Sequence, residues 1–226
     1  MAALFRRLCV RGQLQRRQFR IYTRTGDKGT SGLLGAGRFS KAEPVYEALG
    51  CVDDVNAQIG LAREQLLCTG AAVAEKMHDV AAELRRMQAD LLDVGASLAV
   101  PLDALNSVSS SSERGPAAAP VQQRLAELRE FDRNGLRTEQ LERAMDALDA
   151  ELPTLKQFIL PGGGVAAAQL HVARASMRSA ERSVCRLQGT FQAEPTVIQY
   201  LNRASDFLFV AARVASHRSG AGDVLR

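Results

Sequence analysis

Residues 170–187 read LHVARASMRSAERSVCRL. Apolar side chains recur three or four apart along this stretch, which is the spacing of one face of an α-helix. Stepping about 100° per residue from Arg174, Arg178 falls at about 40°, Glu181 at about −20° and Arg182 at about 80°. Three guanidinium groups and a carboxylate therefore share one stripe. Clustered arginines repel one another unless something neutralises them, and a polyphosphate is a natural counter-ion because guanidinium grips phosphate oxygens in pairs. A solvated face, with Glu181 neutralising part of the charge, accounts for the same spacing. The stretch is preceded by Pro161-Gly162-Gly163-Gly164, a flexible opening.

The same period extends outward. It predicts helices over about 43–67, 70–99, 136–151, 164–188 and 195–218. Pro44 and Pro195 stand in the first turns of two of them, where a proline's missing N–H costs nothing. Leu141, Met145 and Leu148 share a face of the third. Between the second and third lies a Ser-, Ala- and Pro-rich insert at about 103–120, read as a surface loop. Residues 121–131 are read as an extra helical turn or two. The fold class is all-α: a five-helix antiparallel bundle over 43–219, with a glycine-rich N-terminal arm at 21–42 and a tail at 220–226. A 46% hydrophobic content supports a buried core, and the absence of Trp with only 5% aromatic residues disfavours a β-sandwich.

The arm contains Thr23-Arg24-Thr25-Gly26-Asp27-Lys28-Gly29-Thr30-Ser31. Hydroxyls, two cations and glycines that let the backbone approach a ligand make this a plausible anion cradle. It is neither a Walker A loop nor a dinucleotide fingerprint, since neither glycine pattern is present. An ordinary N-terminal arm fits the composition equally well. In GCVDDVNAQIG, Asp53 and Asn56 face the same way, with Asp54 on another face; in YLNRASDFLFVAAR, Asn202 and Asp206 do likewise. Such groups often serve helix–helix hydrogen bonding. Glu75 and His78 form one ExxH, where a di-iron bundle centre needs two, so no metal site is expected.

Residues 1–20 hold six Arg and no acid, with Leu4, Phe5 and Leu8 on one face of a possible helix. This is the pattern of a mitochondrial transit peptide. The chain's net charge of +4 becomes −2 once those six are set aside, so the remainder carries no charge excess that suggests nucleic-acid binding. No apolar run is long enough for a membrane span. Cys51, Cys68 and Cys185 lie far apart without a CxxC and read as free, buried thiols in a reducing compartment.

Taken in order, YTRTGDKGTS, EALGCVDDVNAQIG, LLDVGASLAVP, FILPGGG, LHVARASMRSAER and YLNRASDFLF resemble the PduO-type ATP:cob(I)alamin adenosyltransferases, collinearly from about Tyr22 to Arg213. The resemblance implies transfer of the 5′-deoxyadenosyl group of ATP to cob(I)alamin, giving adenosylcobalamin and triphosphate. It implies a homotrimer with active sites between subunits. It implies ATP with Mg²⁺ and cob(II)/cob(I)alamin as ligands, and a matrix location. A cobalamin reductase and methylmalonyl-CoA mutase are the implied partners. By position, it implies Thr23, Arg24, Thr25, Gly26, Ser31 and Gly32 as arm contacts, with Lys41 reaching phosphate. Arg174, Arg178, Ser179, Ala180, Glu181 and Arg182 match the ATP-binding helix, and Asn202 matches a nucleotide contact. Asp53 matches an acid that pairs with Arg174 across the subunit interface, and Phe158 matches the aromatic that displaces the lower ligand of cobalt. Two departures stand out: Ser179 occupies the place of an expected second Arg, and Gly32 that of a hydroxyl residue. The missing guanidinium leaves open a slow enzyme, or an escort that binds nucleotide and cobalamin and delivers the cofactor.

Overall fold

Pro44 and Pro195 each open a 24-residue helix from an extended glutamate. Proline's fixed φ suits the first turn and its lack of an N–H removes a donor that would have no partner there. The computed structural model describes residues 22–106 and 118–226; the expected leader and most of the expected insert lie outside them. The helices are α1 (Pro44–Leu67), α2 (Ala71–Glu75), α3 (His78–Leu98), α4 (Leu102–Asn106), α5 (Ala118–Arg129), α6 (Leu136–Asp149), α7 (Val165–Cys185) and α8 (Pro195–Arg218). A 3₁₀ turn, Gly189–Phe191, links the last two.

The bundle is formed by α1, α3, α6, α7 and α8. Helix α7 packs against both α1 and α8, α1 carries α3 on its other side, and α8 carries α6. Ile59, Leu66, Leu84, Met87, Leu170, Met177, Tyr200, Phe207 and Leu208 are buried between them. Fully buried alanines on the two central helices, Ala173 and Ala180 on α7 and Ala204 and Ala211 on α8, keep their surfaces shallow, which sets how closely helices approach.

Four local features depart from the sequence reading. The expected helix at 70–99 is two, α2 and α3, broken at Lys76–Met77. The break drops Met77 into the core and places Asp79 in the first turn of α3, where its carboxylate accepts from Val80 N–H and from Arg218. Residues 118–129 form a full helix, α5, because Arg129 at its end is buried. There it donates to the carbonyls of Val100 and Gln192, beside the Glu194 carboxylate. The arm is a hairpin, β1 (Thr30–Gly32) with β2 (Arg38–Ser40), in the register Ser31↔Phe39. The tail contributes β4 (Val224–Leu225), antiparallel to β3 (Ile159–Leu160) before α7. The cysteines differ as well: Cys51 is half-buried, while Cys68 and Cys185, at helix ends, are exposed.

Three contacts seat the hairpin on the bundle. Tyr46 of α1 donates its hydroxyl to Ser31 O at 2.6 Å, Leu34 N–H donates to Ala99 O at 2.9 Å, and Phe39 meets Phe191 edge to face with ring centroids 5.5 Å apart. At the hairpin tip Gly35 has φ +71°, and a Cβ there would lie 2.4 Å from Leu125 Cδ1. Gly35→Ala should therefore destabilise the protein by about 1–3 kcal/mol; urea unfolding of the two proteins measures the difference.

Candidate functional site

The site follows from how α7 lies on α8. Asn202 Nδ2 donates to Glu181 Oε1 at 2.9 Å. Two turns away, the Arg174 guanidinium carbon sits 5.9 Å from the centroid of the Phe209 ring. Glu181 is seven residues beyond Arg174, and Phe209 seven beyond Asn202, so the two antiparallel helices keep one register over this distance. Arg178, midway, opens onto a cleft of about 650 Å³ whose lining includes Arg174, Asp206, Phe209, Gln157 and Phe158. Phe158 leads into β3 and is 82% exposed.

Arg174 is half-buried. Its Nε has no hydrogen-bond partner among the described residues, and a buried donor left without an acceptor is costly. The Phe209 ring, 5.9 Å from the guanidinium carbon, attracts the cation but provides no acceptor for that N–H. Arg178 and Arg182 are exposed, Ser179 is half-buried between them, and Ala180 points into the core. Asp53 is exposed on α1. Asn56 is spent on the fold: its Nδ2 donates to Gln88 O, and Gln88 returns a bond to Asn56 O. Asp206 pairs with Arg203 at 3.3 Å.

The arm residues form a second cluster. Thr23 and Thr25 hydroxyls are 2.8 Å apart, and Gly29 N–H donates to Gly26 O to close the turn between them and β1. The Lys41 ammonium lies against this turn; a Cβ on Gly26 would be 3.2 Å from its Nζ. Lys41 N–H donates to Gly29 O at 2.8 Å. Arg24 adopts φ 57° with its guanidinium 5.6 Å from the Tyr22 ring centroid. Ser31 gives its carbonyl to Tyr46, and Gly32 ends β1. Among the described residues no hydrogen bond or ion pair joins this cluster to the α7 ridge, so one chain holds the site residues in two groups.

Sequence reasoning missed three contributors. Arg38, on β2, ties the arm together by donating to Thr25 O, Thr30 O and Thr30 Oγ1. Phe209 stacks under Arg174; its spacing from Asn202 was readable, but its partner was not. His171, one turn before Arg174, is buried, with its ring 6.1 Å from that of Phe209 and no partner for Nδ1. Burial, and then the charge of Arg174, push its pKa down, opposed by Asp223. Among the described residues no three His, Cys, Asp or Glu side chains come together as a metal site.

A mostly helical bundle with a cationic ridge over an open cleft, an exposed ring beside it and a glycine-bearing arm places anion-binding groups beside apolar surface. The cobalamin adenosyltransferase family model matches residues 21–215. The chain is 39% identical over 205 residues to the corrinoid adenosyltransferase of Bacillus subtilis, covering 91% of each. It is 37% identical over 204 residues to the corrinoid adenosyltransferase MMAB of Homo sapiens, covering 89% of this chain and 70% of that one. Among solved structures, a variant PduO-type ATP:corrinoid adenosyltransferase from Lactobacillus reuteri, complexed with cobalamin and ATP, superposes with a TM-score of 0.70. The two are 30% identical, over 92% of this chain and 99% of that chain. The chain belongs to the cobalamin adenosyltransferase family.

The lowered pKa of His171 makes a stability prediction. A neutral imidazole in the folded state, against an unfolded value of about 6.5, gives stability that is present above that value and is lost as pH falls through the folded pKa. Thermal melts between about pH 5 and 8 should show this loss in the native chain, and His171→Asn should flatten it.

Proposed function

We propose that the α7 ridge and the arm hold the triphosphate of ATP, while the wall of the cleft carrying Phe158 takes the corrinoid, so that the 5′-carbon faces cobalt. The chain is an ATP:corrinoid adenosyltransferase. Cobalt(I) donates its electron pair to the 5′-carbon, the Co–C bond forms, and the C5′–O bond breaks with its pair leaving on triphosphate. Cob(I)alamin is a strong enough nucleophile to need no base from the protein. The protein's part is orientation and charge: Arg174, Arg178, Arg182, Lys41 and the arm amides neutralise the leaving triphosphate. Asn202 holds Glu181 by a hydrogen bond, and the carboxylate would orient the ridge guanidinium groups once ligand is bound. The observation that carries this reading is that Arg174 and Arg178 open onto the same cleft as Phe158.

Assembly completes the site. Arg174 Nε lacks an acceptor, and Asp53 is exposed without a hydrogen bond or ion pair among the described residues. In a homotrimer each supplies the other's partner, and a neighbour's arm reaches the ridge. Leu61, Val165 and Val172, exposed on α1 and α7, supply apolar surface for that contact. Phe158 excludes the lower axial ligand of cobalt, which eases reduction of cob(II)alamin by a separate reductase, since axial ligation tunes a cofactor's potential. The arginine-rich residues 1–20 support import into the mitochondrial matrix, where methylmalonyl-CoA mutase would take the product.

Two outcomes test the roles. Phe158→Ala should abolish the spectral change of cob(II)alamin to its four-coordinate form while leaving ATP affinity intact; calorimetry and absorbance read the two separately. Ser179→Arg, which adds the cation at the unusual position, should raise single-turnover rates by about tenfold or more, a barrier change of at least about 1.4 kcal/mol.

A further inference from the structure

Phe158 is 82% exposed and has no ring contact among the described residues that would hold it. A side chain so placed takes its position from the main chain beneath it. That main chain, residues 153–164 between α6 and α7, is tied down by the segment 220–226 in three ways.

First, β3 and β4 pair as Ile159↔Leu225 and Leu160↔Val224, and Arg226 N–H donates to Phe158 O at 3.3 Å. Second, Arg213, on α8 and only 3% exposed, bridges both segments. Its Nε donates to Asp223 Oδ2 at 3.0 Å and its Nη2 to Pro153 O at 2.7 Å. Asp149 stands 3.5 Å away, but its side chain is 62% exposed against 15% for Asp223, so Asp223 is the less solvent-screened counter-ion. Third, Ser216 Oγ donates to Gly222 O, and Ala221 and Gly222 N–H donate back to Ser216 O. Gly163, at φ +84°, lies so close to this turn that a Cβ would sit 2.2 Å from Ser216 Oγ. A cavity of about 480 Å³ separates the two segments, lined by Leu155, Gln157, Arg213, His217 and Asp223. The segment is thus joined to the Phe158 loop at its edges and is not packed against it throughout.

We propose that the Arg213–Asp223 pair is a latch that positions Phe158: by anchoring β4 it sets where the backbone of β3 holds the ring over the cleft. Arg213 and Asp223 are positioning residues, acting on the corrinoid side of the site only. This rests on the reading of Phe158 as the corrinoid-facing wall. Asp149 and Asp223 are the two acids beside the Arg213 guanidinium, and loss of Asp223 leaves only the solvent-screened one.

Four variants test this: Asp223→Ala, Asp223→Glu, Arg226→Pro and Phe158→Ala. Arg226→Pro removes the N–H that reaches Phe158 O while leaving the Arg213–Asp223 pair in place, and the extended Leu225 before it suits a following proline, so it tests the strand anchor apart from the ion pair. Hydrogen exchange at residues 158–160, the cob(II)alamin spectrum and calorimetric ATP affinity are measured on each. The proposal expects faster exchange at 158–160 in both Asp223→Ala and Arg226→Pro. It expects a four-coordinate cob(II)alamin fraction and a kcat with cobalamin reduced by about 10–100-fold, the cost of misplacing a group by about an ångström. ATP affinity should stay within about twofold of the native value, and Asp223→Glu should restore part of the spectrum. Native exchange in Asp223→Ala, or faster exchange with a native spectrum, overturns it, as does an equal loss of ATP affinity. If Phe158→Ala itself has a native spectrum, the wall assignment fails separately; a latch variant that still loses the spectrum then acts through something other than Phe158, which also overturns the proposal.

Discussion

The antiparallel register of α7 on α8 is the constraint on which the rest depends. Two rigid helices joined at Asn202–Glu181 and at Phe209–Arg174 determine what lies between. Arg178 must face the cleft, and Ala173 and Ala180 must turn to the core. A shift of one helical turn along either axis would break both contacts together. Close approach is possible because the buried positions on both helices include alanine, and packing at native density leaves little room for sliding.

On this frame the polar groups divide into those the fold satisfies and those it leaves open. Asn56, Ser176 and Asp90 are used internally: Asn56 with Gln88, Ser176 with Gln58, and Asp90 with Tyr200 and Arg137. Arg129 and Arg213 are buried and paired. Arg174, Arg178, Arg182 and Asp53 are different. Arg178, Arg182 and Asp53 are exposed, and the buried Nε of the half-buried Arg174 lacks an acceptor among the described residues. Arg129 and Arg213 are surrounded by carboxylates and carbonyls, whereas Arg178 and Arg182 of the ridge are exposed without a hydrogen bond or ion pair among the described residues. That contrast separates the arginines used by the fold from those it leaves unpaired, which the charge count along α7 does not.

Much of the frame was legible before any coordinates. Helix α8 was expected at 195–218 and is found at Pro195–Arg218, because Pro195 sets its start and Gly220, at φ +79°, follows its end. Helix α6 was expected to 151 and ends at Asp149. The break at Met77, the length of α5 and the two strand pairs were not legible, since each is held by residues distant in sequence: Arg218 for Asp79, Gln192 and Glu194 for Arg129, Val224 for Leu160. In the site, the shared face of Arg174, Arg178 and Glu181 was readable from period alone, while Asn202 was placed with them only by the resemblance. Arg38, His171 and Phe209 were not, because their significance lies in what stands opposite them.

Alone, then, the amino-acid order determined which side chains share a face: the period of 3.6 residues is a local property, and it places Arg174, Arg178 and Glu181 together whatever surrounds them. The ordered motifs carried the family as well. What only the folded molecule decided was opposition. Helix periodicity says nothing about which residue of a neighbour lies across the contact, so the stacking of Phe209 under Arg174, the separation of arm from ridge within one chain, and the anchoring of Phe158 by a segment more than sixty residues away come from tertiary packing alone.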